Sequence, residues 1–227
     1  SRNYTMFVRV DGDALAYVLT AAYKDRLEAV RWWFPVVGSF PYLGFFDRKA
    51  LEKERERLEE RGFDTFVERM AAYSTLGWFL DPVFSTYLNM EDHELARMIL
   101  HEMVHRTIFL RGKTSFNEQL ATYVGAVGAI DFLEQKFGDD SPQKRAAIDL
   151  WHDDMLFARF VDRLAAELKA LYAVEMPREE KLRRREEIFL RYREKYAALL
   201  PRFRTGSYRW FLRVELNNAV IIAVMTY

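Results

Sequence analysis

The segment from residue 98 to residue 110 is almost continuously apolar, yet it contains His101, Glu102 and His105. In an α-helix His101 and His105 lie one turn apart on the same face, and Glu102 projects about 100° further round the axis. All three side chains can therefore point into one cleft. Because an unpaired carboxylate in an apolar core costs several kcal/mol, this segment indicates a site in which the charges have partners.

The same residues form the pattern H-E-x-x-H, in which two neutral imidazoles hold a zinc ion and the glutamate accepts a proton from the metal-activated water. The alternative is a chance pairing of two core histidines. The chain has only 4 His, so on the order of one chance match in a hundred such sequences is expected. The pattern therefore predicts a site for one Zn²⁺ ion.

Composition limits the other possibilities. The 34 basic and 34 acidic residues give a formal net charge of zero, so we expect no nucleic-acid partner. Cysteine is absent, which leaves histidine and carboxylate as the plausible zinc ligands. No apolar span reaches 18 residues, so we expect no transmembrane segment. The chain starts at Ser1 and not at a methionine, and the sequence leaves open whether a preceding segment has been removed.

The first part of the chain predicts strands and one charged helix. Residues 4–10 and 15–23 have the composition of two strands joined as a hairpin at residues 11–13. Residues 31–37 are extended, and residues 38–46 form an aromatic loop. Asp47 begins a helix that ends near Arg61 and Gly62, and a further strand follows at residues 63–70. The extended segment 71–79 is the candidate for an edge at which a peptide substrate pairs, and the alternative is that it is another strand of the core.

The rest of the chain predicts long helices. The helix with His101 begins at Asn89 or Glu91 and ends at Gly112. The others span residues 115–137, 143–176, 178–200 and 210–227, the last interrupted by two asparagines. The sequence therefore predicts an α+β fold with a small N-terminal mixed or antiparallel sheet. We expect a catalytic core at residues 1–138 and a helical subdomain at residues 139–227 that packs on it as one compact unit.

A catalytic zinc ion needs a third protein ligand, and Glu118 is the nearest downstream candidate. A local alternative is that Glu118 closes a capping box with Ser115 at the start of its own helix. If the two helices were antiparallel, His105 and Glu118 would also lie about one helical turn apart along the helix axes. The connection between the helices or their crossing angle would have to compensate for this displacement. Asn117 and Thr122 flank Glu118 and are candidates for supporting it from the second coordination shell.

The reaction predicted by this site is peptide-bond hydrolysis. Glu102 would accept the proton of the attacking water and pass it to the leaving amine. The developing oxyanion needs a further donor, for which a tyrosine is the usual type. Among 12 tyrosines the sequence does not select one, and the candidates are Tyr73, Tyr123, Tyr208 and Tyr227.

Several blocks resemble one known family. The blocks are residues 34–46, 72–79, 95–105, 116–122 and 217–219. Together they resemble the bacterial family described as Putative aminopeptidase, a group of zinc-dependent metallopeptidases. The resemblance implies a zincin-like fold, zinc bound by His101, His105 and Glu118, and Glu102 as the catalytic residue. It also implies that Tyr73, Ser74 and Thr75 lie near the substrate cleft.

The resemblance has further implications. Relatives commonly carry an acidic residue where this chain has Gly125, which leaves the metal ligands unchanged and bears on substrate preference. Relatives often look exported, which implies the cell envelope or periplasm, with the cytoplasm as the alternative. The expected partner is a peptide or protein substrate, and the oligomeric state stays open. An aminopeptidase also needs an acidic group for the substrate's α-amine, and the sequence identifies none.

The alternative function is non-catalytic. In that hypothesis the chain is a binding or scaffolding protein with a vestigial or structural zinc site, and its long charged helices form an interaction surface. A structural zinc ion is fully ligated by protein, so a fourth ligand such as His93 or His152 would favour this hypothesis.

Overall fold

The computed structural model describes residues 7–9, 16–35, 38–70, 83–110 and 112–226. The predicted substrate platform at residues 71–79, with Tyr73, Ser74 and Thr75, lies outside the described residues, as does Tyr227. The fold in the described part is mixed α and β, with helices predominating after residue 91, as the sequence predicted. The division at residues 138 and 139 stays a prediction.

The central sheet has three antiparallel strands. The strands in the described residues are β1 (Phe7–Val8), β2 (Ala16–Ala22), β3 (Trp32–Phe34), β4 (Gly38–Phe40), β5 (Tyr42–Phe45), β6 (Asp64–Met70) and β7 (Val83–Phe84). Their order in the sheet is β5-β2-β6, with Thr20 opposite Tyr42 and Val18 opposite Glu68. Strand β2 is the most buried because it has a neighbour on each side.

Two predictions about the strands are wrong. In the described residues the predicted hairpin between the first two strands is absent, because both edges of β2 (Ala16–Ala22) are taken by β5 and β6. Strand β1 pairs instead with β7, in parallel. The predicted aromatic loop at residues 38–46 is also ordered as strands: β4 pairs with β3, and β5 pairs with β2, so its aromatic side chains alternate between two faces.

Six α-helices lie in the described residues: α1 (Arg48–Glu60), α2 (Asp92–Thr107), α3 (Thr114–Phe137), α4 (Pro142–Ala173), α5 (Arg178–Leu199) and α6 (Asn218–Thr226). Both predicted ends of α1 are confirmed. The Asp47 side chain accepts from the Lys49 N–H at 3.0 Å, and Gly62 adopts φ 82° just past the end. The last helix is shorter than predicted, because residues 209–212 form a 3₁₀ turn and the Asn217 side chain accepts from Val220 N–H, which caps α6.

Alternating residues of the sheet face two different layers. Leu19 and Val67 pack with Leu51 and Leu58 of α1 on one face. On the other face Phe66 stacks on Trp210, and the apolar residues of α4, α5 and α6 form the larger core. The side chains of Tyr42, Thr20, Phe66 and Glu68 therefore face the helical layer, in which α2 and α3 also pack against α4.

A buried polar network joins the sheet to the helices. The Arg185 guanidinium of α5 donates to Asp64 Oδ2 at 2.7 Å, and the Asn218 N–H donates to the same oxygen at 3.0 Å. The Asn218 side chain, fully buried, donates to Tyr23 O at 2.8 Å and accepts from the Tyr172 hydroxyl at 2.9 Å. The adjacent Asn217 donates to Thr65 O at 3.1 Å, so both asparagines bond to the sheet region of the chain. This network holds the sheet against the helical layer.

We expect Arg185→Met to lower the free energy of unfolding by about 3–5 kcal/mol, because it removes the close charge partner of the buried Asp64 carboxylate and leaves only Lys24, whose Nζ lies 3.9 Å from Asp64 Oδ1. The matched control is Arg184→Met, which removes an exposed pair with Glu180 and should cost less than about 1 kcal/mol. Urea unfolding of the two variants measures the difference. Equal destabilisation would contradict this account of the network.

Candidate metal centre

The connection between α2 and α3 determines the site. The sequence predicted that α2 ends at Gly112, but it ends at Thr107 and the next residues are extended. Asn117, which is 2% exposed, accepts from the Leu110 N–H at 2.9 Å and donates to the Leu110 carbonyl at 2.8 Å. These two bonds replace helical ones, so the apolar run stops being helical before its hydrophobic pattern ends.

Because α2 ends early, His105 and Glu118 are not displaced along the helix axes by the predicted helical turn. His105 is two residues from the end of α2, and Glu118 is four residues into α3, which corresponds to about 3 Å and about 6 Å of helix. The capping box proposed for Ser115 and Glu118 does not form. The residue before α3 is Lys113, without a side-chain cap, and the Ser115 hydroxyl accepts from Gln119 at 3.2 Å. Glu118 is therefore free to face α2.

His101, His105 and Glu118 come together between the two helices. The two Nε2 atoms are 3.1 Å apart, and Glu118 Oε2 lies 3.4 Å from His101 Nε2 and 3.5 Å from His105 Nε2. A triangle with these sides has a point about 2 Å from all three corners, which is the usual length of zinc–nitrogen and zinc–oxygen bonds. In the described part of the chain these are the residues whose ligand atoms converge in this way. The donor set therefore fits a zinc ion.

The electrostatics favour the ligating form of the carboxylate. Burial raises the pKa of Glu118, but the hydrogen bonds from His101 and His105, and their charges, outweigh it and lower that pKa to about 2. The hydrogen bond with Glu118 raises the pKa of His105, burial opposes this, and the charges of Glu118 and Glu102 add to the increase. Glu118 is thus an anion at neutral pH, the state in which a carboxylate ligates a cation.

Two further groups of the motif, the Glu102 carboxylate and the Nδ1 atom of His105, have different surroundings. The Glu102 side chain is partly buried on α2, and its charge acts on His105. His105 is 6% exposed, and its Nδ1 atom has no hydrogen-bond partner among the described residues. If Nδ1 carries the proton, Nε2 presents a lone pair to Glu118 and to the other imidazole. Three lone-pair donors then share one small space, an arrangement that a cation stabilises.

Close contact of α2 and α3 depends on Gly125. A Cβ atom there would lie 2.9 Å from the Arg97 carbonyl oxygen and 3.2 Å from both N and Cβ of His101. The first distance is shorter than real Cβ contacts to backbone atoms, so one helix would have to move. Gly125 therefore lets α3 pack directly against the turn of α2 that carries His101.

A cavity of about 520 Å³ opens beside His101. Its polar wall includes Glu68 of β6, Thr122 of α3, and the ion pair of Arg97 and Asp154, whose atoms are 2.5 Å apart. Its other walls are largely apolar. A larger cavity of about 670 Å³ lies along the outer edge of β6 near Asp64 and Arg185, away from both histidines. We therefore take the cavity beside His101 as the candidate cleft.

The other residues that the sequence analysis named lie in different places. Thr122 lines the cavity, and Asn117 acts on the helix connection. Among the tyrosines, Tyr123 is an exposed wall residue, whereas the Tyr208 hydroxyl donates to Asp154 at 2.6 Å. His93 lies in the first turn of α2, and His152 is bonded to Asp153 at 3.0 Å; neither joins the three-residue cluster in the described part of the chain.

Sequence reasoning missed Tyr42, Glu68 and Asp154. Burial raises the pKa of Tyr42, and the charge of Glu118 adds to the increase. Tyr42 also borders a small gap with Glu68 and Thr20. A signal existed for the two acids. Glu68 shares a strand face with Phe66, and Asp154 lies one turn from Trp151 and Phe157. An acid on an apolar face of a strand or helix calls for an explanation.

The chain thus has an α+β fold in which two imidazoles and a carboxylate meet beside a cavity. This arrangement is a candidate metal-dependent site. A family model described as Putative aminopeptidase matches residues 1–227, and the chain belongs to this family. No curated protein and no solved structure gave a significant match. Among the described residues, no helix has the length and hydropathy required to cross a membrane.

We expect Gly125→Ala to lower the free energy of unfolding by about 1–3 kcal/mol and to weaken binding of added Zn²⁺, because the new methyl group pushes α3 from His101. Gly128→Ala is the matched control. Its Cβ would meet only the flexible end of Leu100 at 3.2 Å, and the change should stay within about 1 kcal/mol. Chemical unfolding and competition with a zinc chelator measure both effects. Equal behaviour of the two variants would refute the contact argument.

We expect Asn117→Ala to lower the free energy of unfolding by about 1–3 kcal/mol, because it removes the partner of the Leu110 N–H and one of the two donors to the Leu110 carbonyl, which keeps the Lys113 N–H at 3.1 Å. Zinc affinity should also fall, since the connection positions Glu118. Ser115→Ala, which removes only an exposed bond to Gln119, should change stability by less than about 0.5 kcal/mol. Unchanged zinc affinity in Asn117→Ala would show that the connection does not control the site.

Proposed function

We propose that this chain is a zinc-dependent peptidase of zincin-like architecture, with one zinc ion held by His101, His105 and Glu118. The observation that carries the proposal is the convergence of three ligand atoms with separations of 3.1–3.5 Å. The family described as Putative aminopeptidase supports peptide hydrolysis as the activity. Three protein ligands leave a coordination position open, as in catalytic rather than structural zinc sites.

The chemistry divides between the ion and the chain. Zinc, when bound, supplies a Lewis acid that makes water a stronger nucleophile near neutral pH. Glu102 follows His101 on α2 and projects about 100° further round the helix. Its carboxylate receives the proton of the attacking water and returns it to the amine that leaves when the peptide carbon–nitrogen bond breaks. The carboxylate of Glu102 is thus regenerated after each cycle.

The cavity beside His101 receives the substrate. Its position next to one ligand brings a bound peptide carbonyl toward the metal centre. Tyr123 is exposed in this wall and can present its hydroxyl to the developing oxyanion, whereas the Tyr208 hydroxyl is already bonded to Asp154. We assign substrate binding to this cleft.

We expect Glu102→Gln to keep about one zinc ion per chain and to lose about 10²- to 10⁴-fold in kcat, because the general base is removed while the ligands stay. His105→Ala should lose both zinc and turnover. His93→Ala is the matched control, since His93 lies outside the cluster, and it should keep both. Metal analysis by mass spectrometry and cleavage of a mixed peptide library provide the measurements.

Two results would contradict the proposal. If Glu102→Gln turned over peptides at the wild-type rate, Glu102 would have no part in the reaction. If His105→Ala bound zinc as tightly as the wild type does, the ion would be held elsewhere in the chain.

A further inference from the structure

The cavity beside His101 contains an acidic side chain that the proposed reaction does not use. Glu68 lies on β6, opposite Val18 of the central strand, and faces the helical layer together with Phe66. Its side chain is partly buried. It lines the same cavity as His101 and also borders a small gap next to Tyr42 and Thr20. Glu68 therefore reaches the cleft from the sheet, whereas His101 reaches it from the helices.

The structure shows no compensating partner for the charge of Glu68 among the described residues. Among the described residues its carboxylate has no hydrogen bond and no ion pair. The other acid of the cavity, Asp154, is held by Arg97 at 2.5 Å and by the Tyr208 hydroxyl at 2.6 Å. Because Arg97 and Asp154 neutralise each other, ionised Glu68 leaves the cavity with a net negative charge.

Burial makes that charge costly. It raises the pKa of the Glu68 carboxyl above the ordinary glutamate value. A cation placed beside the carboxylate would offset the cost, because an opposite charge favours the ionised form. The cavity is thus suited to a ligand with a positively charged group.

The remaining walls define the other part of the ligand. Trp151, Met155, Phe157 and Trp210 line the cavity and give it a largely apolar surface. A volume of about 520 Å³ is large enough for one bulky side chain and its backbone. A positive group next to an apolar side chain describes the amino-terminal residue of a peptide.

We propose that Glu68 binds the α-ammonium group of a peptide whose first residue has a large apolar side chain. This inference rests on the proposed function and specifies its substrate class. Glu68 and His101 line the same cavity, so an amine held at Glu68 would bring the first peptide bond into the cavity that also contains His101. Glu68 is the acidic group that an aminopeptidase requires and that sequence reasoning did not identify.

The first test compares two versions of one substrate. The tripeptide Phe-Ala-Ala amide is supplied with a free or an acetylated amino terminus to the zinc-loaded wild type, Glu68→Gln, Glu68→Asp and Glu56→Gln. Glu68→Gln keeps the size of the side chain and removes its charge, whereas Glu56→Gln removes an exposed charge on α1. Hydrolysis rates, zinc content and melting temperature are measured for each protein.

We expect the wild type to hydrolyse Phe-Ala-Ala amide with a free amino terminus faster than the acetylated form. It should also hydrolyse the free Phe-Ala-Ala amide faster than free Gly-Ala-Ala amide. Glu68→Gln should lose about 10- to 100-fold in kcat/KM for the free peptide, because a charge-assisted contact is lost. Its zinc content and its rate on the acetylated peptide should not change. Glu68→Asp should lose less, and Glu56→Gln should match the wild type. Equal losses on both peptides, or no loss, would overturn the assignment.

The second test measures binding without turnover. Each peptide is titrated by calorimetry into zinc-loaded Glu102→Gln. The peptide with a free amino terminus should bind at least about 10-fold more tightly than the acetylated peptide. Adding Glu68→Gln to Glu102→Gln should abolish this difference. Equal affinities in Glu102→Gln would overturn the proposal even if Glu68→Gln failed to fold. If zinc-loaded wild type hydrolyses no peptide but the binding preference is present, the peptidase proposal fails while the assignment of Glu68 as an amine site stands.

Discussion

The close packing of α2 against α3 is the constraint on which the rest of the structure depends. Gly125 lets the helices approach, and Asn117 ends the helical path of the first one by bonding to both backbone groups of Leu110. As a result the imidazoles of α2 and the carboxylate of α3 share one space. A longer α2 or a larger residue at position 125 would change the distance between these groups, and a metal ion tolerates only small changes in ligand distance.

The sheet and the remaining helices complete the surroundings of this centre. The network of Asp64, Arg185 and Asn218 holds the sheet to the helical layer, so that one face of β6 meets the cavity. Arg97 and Asp154 join α2 to α4 on the other side. These ion pairs differ in their consequences. The first stabilises the fold, and the second neutralises one of the two acids of the cleft, which leaves Glu68 as the unbalanced charge.

A feature of the fold could be predicted from the sequence where the residues that cause it are neighbours along the chain. The ends of α1 could be predicted because Asp47 and Gly62 act within their own turn. The end of α2 could not, since its apolar pattern continues to Leu110 and the helix is stopped by a side chain from α3. The hairpin of the first strands was wrong for a similar reason. Strand propensity is local, but the choice of a partner depends on which edges other strands have taken.

The sequence by itself determined the types of group available to the site. The H-E-x-x-H spacing put two imidazoles on one helical face, and the absence of cysteine left histidine and carboxylate as the candidate ligand types. Only the tertiary structure excluded the capping box at Glu118 and brought its carboxylate to the two imidazoles, because a capping box and a candidate ligand have the same local sequence. It alone brought Glu68 into the cleft, since a residue on β6 and one on α2 meet only when the sheet packs against the helices. Local spacing sets the direction of a side chain, and packing determines what it faces.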